Sequence, residues 1–291
     1  MEVIIVVDGP ATVVVPADIT SLPQVRVVVT GGERGPSGAR MDGVRASTAS
    51  LVAFLDDDDE WLPGKLNAQL SVYRTLRQRF RFPVVSCRAY VITDGGCVKE
   101  VAPRIVLSEN DPLSEFMFNR RKVLMDGFVM GSSTLLTSRA LVQLEPWNEQ
   151  LRLHEDWEWL LRVSRRSDSI VAMHGDPLIR YLEQAPMNAT SRPRGGWRDS
   201  LAFVDDCDLP LRTRGDFLLC VTAGMAIARG ERVDALRVAW LAARTASPGI
   251  IAWLVFGLEM FLPAYCIKLL ASSLRAFLHR TQLRSSTWEG A

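Results

Sequence analysis

Cysteine is scarce, with only five in 291 residues: Cys87, Cys97, Cys207, Cys220 and Cys266, at no paired spacing. That excludes a disulfide frame and a cysteine-built zinc site, and the thiols read as reduced in a cytosolic setting. Histidine is scarcer still, and His154 and His174 lack metal-ligand spacing, so both read as structural. Neither sign of charge is in excess, with 34 basic residues against 33 acidic. No bulk field is present to hold a nucleic acid, and none is expected as a partner. The apolar stretch Ile250–Leu262 is cut by Pro263 well before the about 20 residues that a membrane span needs. Nor is the chain poor in apolar residues, which make up 48% of it and exclude a disordered polypeptide. The opening Met1-Glu2-Val-Ile-Ile-Val-Val7 lacks the basic lead-in and apolar length of a signal peptide and reads as a buried parallel strand.

What is present is most telling at Leu51-Val-Ala-Phe-Leu55-Asp56-Asp-Asp58-Asp-Glu-Trp61-Leu-Pro-Gly-Lys65. Five apolar residues read as a strand, and a cluster of carboxylates emerges at its carboxyl end. That is where open α/β sheets bind their ligands. Packed carboxylates repel unless a cation offsets them, and Mg²⁺ is commonly shared between one or two carboxylates and substrate phosphates. A solvated acidic face is the plainer alternative. The position favours a site for a metal-bound phosphate compound.

Val3–Val7, Val25–Val29 and Leu51–Leu55 are short and rich in β-branched residues, suiting strands buried on both faces of a parallel sheet. Lys65–Arg79 carries apolar residues at helical spacing after Pro63. Val84–Ser86 and Ala89–Thr93 read as strands flanking a bend near Arg88, and Gly131–Thr137 as another strand. Glu155–Arg166 reads as a helix with Trp157, Leu160, Leu161 and Val163 inward. The Ser-, Pro- and Gly-containing stretch Ala185–Gly196 marks a boundary. Residues 1–196 form one α/β domain on this reading, and 197–291 a helical C-terminal region.

The order of motifs resembles the family 2 glycosyltransferases, which have the GT-A fold. The resemblance rests on Val-Val-Asp8-Gly9-Pro10 ending a strand, Gly35-Pro-Ser-Gly-Ala-Arg40, and Phe54-Leu-Asp56-Asp-Asp58-Asp-Glu-Trp-Leu-Pro-Gly-Lys65. Gly131-Ser-Ser and His154-Glu155-Asp156-Trp157-Glu-Trp-Leu-Leu-Arg162 close the series. It implies a Rossmann-like, mostly parallel sheet flanked by helices. It also implies a nucleotide-sugar donor and a glycan or lipid-linked acceptor, of the kind used to build cell-envelope polysaccharide. By resemblance, Asp8 meets the nucleobase, Arg40 lies near the nucleotide, and Asp56 reaches the ribose or a metal-bound water. Asp58 coordinates Mn²⁺ or Mg²⁺ on the diphosphate, and Asp156 is the general base. One such base in a single displacement inverts the anomeric centre, with the oxocarbenium character familiar from glycoside hydrolysis.

Plainer roles exist for the same residues. Asp8 caps the next segment on that reading, and Glu155 and Asp156 stabilise a helix N-terminus. Arg162 pairs with Glu158 one turn earlier. The family also begins with a strand, a Pro-x-Tyr-Asn-like segment and a helix that this chain does not show. The expectation is an internal start at Met1, with roughly 30–45 further residues in the natural product. These residues alone then either leave a gap between Val3–Val7 and Leu51–Leu55 or bring those strands together. Two other functions remain open: a non-catalytic nucleotide-binding remnant of such a transferase, and a haloacid-dehalogenase-like phosphohydrolase. For the latter, Glu60 stands where Thr or Val is wanted. A cytoplasmic location is expected. Past Pro263, Lys268, Ser272, Arg275 and His279 share one helical face, which points to peripheral contact with the cytoplasmic face of the plasma membrane. Helices packed on the catalytic domain or in a dimer are the alternative.

Overall fold

A computed structural model describes residues 1–9, 15–93, 95–121, 130–182 and 196–262. The described residues divide into two compact units, the first made of those within 1–117 and 130–199, the second of those within 118–121 and 200–262. Thr12–Val14, Cys266 and the basic face beyond Pro263 lie outside the described residues.

The first unit opens with β1 (Val3–Val7), α1 (Ala17–Thr20), β2 (Val25–Val29) and α2 (Gly35–Ala46). β1 and β2 pair in parallel from Val3 opposite Val25 to Val7 opposite Val29. Neither is buried on both faces: Val27 is exposed, and Val29 is 50% exposed. α2 packs against β1, where a Cβ on Gly43 would come within 3.2 Å of Val6 Cγ2, so glycine there lets the helix lie close.

β3 (Leu51–Ala53), β4 (Asp59–Trp61), α3 (Lys65–Leu76), β5 (Phe82–Ile92), β6 (Val98–Ala102) and α4 (Leu113–Phe118) follow. β7 (Leu136–Ser138), α5 (Arg139–Leu144), α6 (Glu155–Ser164) and β8 (Ser169–Leu182) complete the unit. The main sheet runs β3-β7-β5-β8-β4, with β6 also on β5. β5 and β8 are parallel, whereas β3·β7, β5·β7, β4·β8 and β5·β6 are antiparallel. The sheet is therefore mixed and not mostly parallel. Parallel pairing requires a crossover of a dozen residues or more, and the short link from β5 to β6 permits only a hairpin.

Three further readings are corrected. Val84–Ser86 and Ala89–Thr93 are one strand, and the expected bend is a register irregularity against β8 at Cys87, Arg88 and Ala89. A bulge absorbs an extra residue without ending the strand. Gly131–Thr137 is not a strand throughout, because Ser132–Thr134 form a 3-10 turn before β7. In α6 the inward tryptophan is Trp159, fully buried, while Trp157 is only partly covered.

Between β1 and β3 the structure shows no pairing. β1 bonds to β2, and β3 to β7, in separate sheets. Glu2 links the two regions, its carboxylate accepting from Ser47 Oγ and from the backbone of Thr48 and Ala49, each at 2.8 Å. The core beneath the site is formed where α3 covers the sheet, with Tyr73, Leu76, Val85, Leu136 and Ala172 in contact.

The second unit is helical: α7 (Trp197–Asp206), α8 (Leu211–Phe217), a π-helical turn at Leu218–Thr222, α9 (Ala223–Ala228), α10 (Arg232–Thr245) and α11 (Ile250–Phe261). Its polar anchor is Asp216, fully buried, which accepts from the backbone of Arg120 and Gly249 and from Arg212 Nε. Gly215 has no room for a side chain, since a Cβ would lie 2.6 Å from Pro248 N. No described helix is long and apolar enough to cross a membrane.

Candidate active site

The 3-10 turn after Gly131 is the hub of the site. Ser132 N donates to Asp156 Oδ2 at 2.9 Å, and Ser132 Oγ donates to Asp56 Oδ2 at 2.7 Å. Asp56 N in turn donates to Ser133 Oγ at 2.9 Å. One turn thus fixes both the first aspartate after β3 and the aspartate at the start of α6, 100 residues apart in sequence.

Arg40, from the middle of α2, closes the arrangement. Its Nη2 meets both oxygens of Asp56 at 2.9 and 3.0 Å, and its Nη1 reaches Asp156 at 3.1 Å and Glu155 at 3.3 Å. The guanidinium also lies over the Trp147 ring, 5.2 Å from its centroid. Trp147 stacks on Trp159 and meets Phe54 edge-on, which makes a dry aromatic floor. Only 11% of the Arg40 side chain is exposed, and its buried Nε has no hydrogen-bond partner.

Burial under this floor pushes the Asp156 carboxyl up, to about 7. Arg40 opposes the rise, Glu155 and Asp56 add to it by repulsion, and the Ser132 N–H works against it. A carboxylate poised near neutrality suits proton abstraction. The preceding residue, His154, is held in the left-handed region at φ 63°, a conformation that costs a non-glycine residue of order 1 kcal/mol. Its ring stacks on Trp157 at 4.3 Å, and burial pushes its pKa down to about 3, so it stays neutral. Arg162 does pair with Glu158, at 2.7 Å, and also with Glu145.

Asp8 is not gathered into this cluster. It accepts from Arg34 N at 3.1 Å and Gly35 N at 2.7 Å, and its Oδ1 also takes the Thr30 hydroxyl. The N-cap residue of α2 is Arg34, whose side chain makes no cap bond. Asp8 supplies the cap from 26 residues away, satisfying N–H groups that a Ser or Asp would otherwise serve locally. The segment that follows Asp8, α1, has no side-chain cap, so the cap read from the sequence falls on α2 instead.

Among the described residues, no three His, Cys, Asp or Glu groups form an all-protein metal cage. Asp56 has both oxygens engaged by Arg40. Asp59 has a buried Oδ1 without a partner; burial raises its carboxyl to about 6, a hydrogen bond with Ser133 opposes the rise, and Asp58 and Asp56 add to it by repulsion. Carboxylate oxygens such as those of Asp58 are the hard donors that Mg²⁺ or Mn²⁺ takes when substrate phosphates complete its shell, so the donor chemistry here is compatible with such an ion.

Behind the turn stands a buried support. Gln69 donates through Nε2 to Val85 O and Thr134 O, both at 2.7 Å, while Lys65 Nζ donates to Gln69 Oε1 at 2.6 Å. Lys65 is 1% exposed and sits over Trp61, whose Nε1 donates to Ser133 O at 3.1 Å. Gln69→Leu would strand two carbonyls and an ammonium together. Each unmade buried bond costs about 1–3 kcal/mol. We expect a loss of roughly 3–5 kcal/mol of stability in urea titration, with the charged Lys65 contributing most. A loss under about 1 kcal/mol would show that water enters and satisfies these groups.

The glycosyl transferase family 2 model matches residues 1–91, the stretch that holds Asp8, Arg40, Asp56 and Asp58. The amylovoran biosynthesis glycosyltransferase AmsB of Erwinia amylovora is 27% identical over 186 residues, covering 62% of this chain and 59% of that one. This chain thus spans about three fifths of that relative's length. A crystal structure of S. aureus TarS, residues 1–349, in complex with UDP-GlcNAc superposes with a TM-score of 0.50 at 12% identity. The superposition covers 83% of this chain and 70% of TarS. That likeness shows the fold alone, an α/β architecture of the GT-A type.

Proposed function

We propose that this chain transfers a sugar from a nucleotide-sugar to a hydroxyl of a glycan or lipid-linked glycan, with inversion, in the making of an envelope polysaccharide. The observation that carries this reading is the shared hub, which holds Asp156, Asp56 and Arg40 on one turn with Asp156 raised toward neutrality. The name of the Erwinia relative and the UDP-GlcNAc bound to the S. aureus neighbour support the donor and acceptor classes.

In the reaction, Asp156 takes the acceptor hydroxyl proton as that oxygen bonds to the anomeric carbon. The bond from that carbon to the diphosphate oxygen breaks, and its electron pair leaves with the nucleoside diphosphate. Arg40 keeps the Asp156 carboxylate ionised and aimed, and Asp56 fixes Arg40 in return. Asp58 would hold Mg²⁺ or Mn²⁺ on the diphosphate, where such an ion would supply Lewis-acid stabilisation of the leaving charge. Asp8 is the contact for the nucleobase. The chain works in the cytoplasm, in peripheral contact with the inner face of the plasma membrane.

Assaying nucleoside diphosphate release from a panel of nucleotide-sugars, with and without Mn²⁺, tests this directly. Metal-dependent release from one donor is expected. Nucleotide binding without any turnover would instead mark a binding remnant. For the metal, Asp58→Asn should weaken Mn²⁺-dependent diphosphate binding more than Asp59→Asn, read by calorimetry. Equal losses would make the run a generic acidic surface.

A further inference from the structure

The second unit carries apolar surface that nothing in the catalytic reading uses. On α11, Ile250, Leu254, Leu258 and Phe261 recur at helical spacing and are exposed, Ile250 by 72% and Phe261 by 78%. The one charged residue of α11, Glu259, is only partly accessible and lies off this stripe, so the face presents no charge to solvent. On α10, Val233, Leu236 and Trp240 are exposed in the same manner, Trp240 by 61%. Both helices rest on the same support, the π-helical turn and α9.

The rim of the α10 stripe is basic. At about 100° per residue, Arg232 falls on one side of Val233, Leu236 and Trp240, and Arg237 and Arg244 on the other. The Arg244 guanidinium lies over the exposed Trp240 ring, 4.7 Å from its centroid. Arg237 is paired with Asp234 at 2.7 Å, and Arg232 and Arg244 are exposed on the same rim. Acidic residues are missing from the exposed face of α10. The sequence that follows, 263–291, continues in kind, with Lys268, Arg275, Arg280 and Arg284 against a single acid, Glu289.

We infer that the exposed faces of α10 and α11 dock this protein on an anionic lipid surface, with Trp240, Leu254 and Phe261 entering the interface and Arg232 and Arg244 meeting phosphate headgroups. This rests on the peripheral-membrane reading above and gives it a place and a lipid class. The chemistry selects a bilayer because one sign of charge flanks an apolar stripe. Tryptophan with arginine is the pairing of an interfacial helix, whose ring is apolar and whose edge is wet. A protein partner would be met by charges of both signs. At 12 residues, or about 18 Å, α11 is too short to span and long enough to lie flat.

The test is flotation of the full chain with vesicles of phosphatidylcholine alone, and of phosphatidylcholine and phosphatidylglycerol in equal parts. Binding is expected to the anionic vesicles, to weaken as salt is added, and to fall about fivefold for each of Arg232→Gln and Arg244→Gln. The combined change Trp240→Ser, Leu254→Ser and Phe261→Ser should lower binding by more than about tenfold. These side chains are exposed, so an unchanged melting temperature separates lost docking from lost fold. Undiminished binding by the triple variant would assign the contact to residues 263–291, overturning this inference and sparing peripheral location. Absence of binding by the unmodified chain would overturn both. Self-association in sedimentation, abolished by the triple variant and insensitive to lipid, would make a second copy the occupant.

Discussion

Asp156→Asn is expected to lower the rate of transfer by about 10²–10⁴-fold, the ordinary worth of general-base assistance, while nucleoside diphosphate binds nearly as before. Asparagine keeps the shape and still accepts the Ser132 N–H, so the loss is chemical and not architectural. The pH profile makes the claim sharper. Burial raises this carboxyl to about 7 against the pull of Arg40. A base works only when unprotonated. The rate in the unmodified chain should therefore rise as pH increases toward that value and level off above it. That limb should be missing from Asp156→Asn. Near-normal turnover, or an unchanged limb, would remove Asp156 from the mechanism.

Arg40→Gln should be the most damaging single change to the fold of the site. It leaves Asp56, Glu155 and Asp156 facing one another with no cation among them. Removing one partner of a buried ion cluster costs about 3–5 kcal/mol. The expected readout is a comparable fall in urea stability at neutral pH that shrinks as pH is lowered and the carboxylates protonate. The sign follows from Arg40: it is the group that pulls Asp156 down, so without it the carboxyl rises further and the variant favours acid. Activity, where it persists, should need a higher pH. Arg40→Lys should rescue only part, because an ammonium cannot fork to Asp56 and reach Asp156 at once. Equal stability of Arg40→Gln and the unmodified chain at every pH would show the cluster to be solvated.

Much of the frame was legible because it is local. β1 and β2 follow from runs of β-branched residues, α3 from apolar spacing after a proline, and α6 from the same period behind an acidic first turn. What the residues concealed is long-range. Nothing in Asp59-Glu60-Trp61 announces a strand, since its partner Tyr181-Arg180-Ile179 lies 120 residues on. Ser132 and Ser133 look like turn residues. Their reach to Asp56 and Asp156 depends on where β3 and α6 end. Arg40 is placed near the nucleotide by resemblance alone, and its bonds to three carboxylates from two other segments appear only once those segments converge on it. Gly131-Ser-Ser, quoted for its resemblance, was the available signal for that hub. For Gln69 there was none, because a buried amide is identified by the carbonyls around it.

The cap on α2 carries one more implication. Asp8 spends both carboxylate oxygens on the first N–H groups of the helix that, a turn and a half later, bears Arg40. A nucleobase that draws Asp8 toward itself competes with that use and forfeits a cap worth about 1 kcal/mol. Ligand affinity and order at the start of α2 are then linked with opposite sign. By reciprocity, whatever tightens this turn must loosen the base, and by the same factor. Hydrogen exchange at Arg34 and Gly35 should therefore quicken when nucleotide binds, an uncommon direction for a bound site.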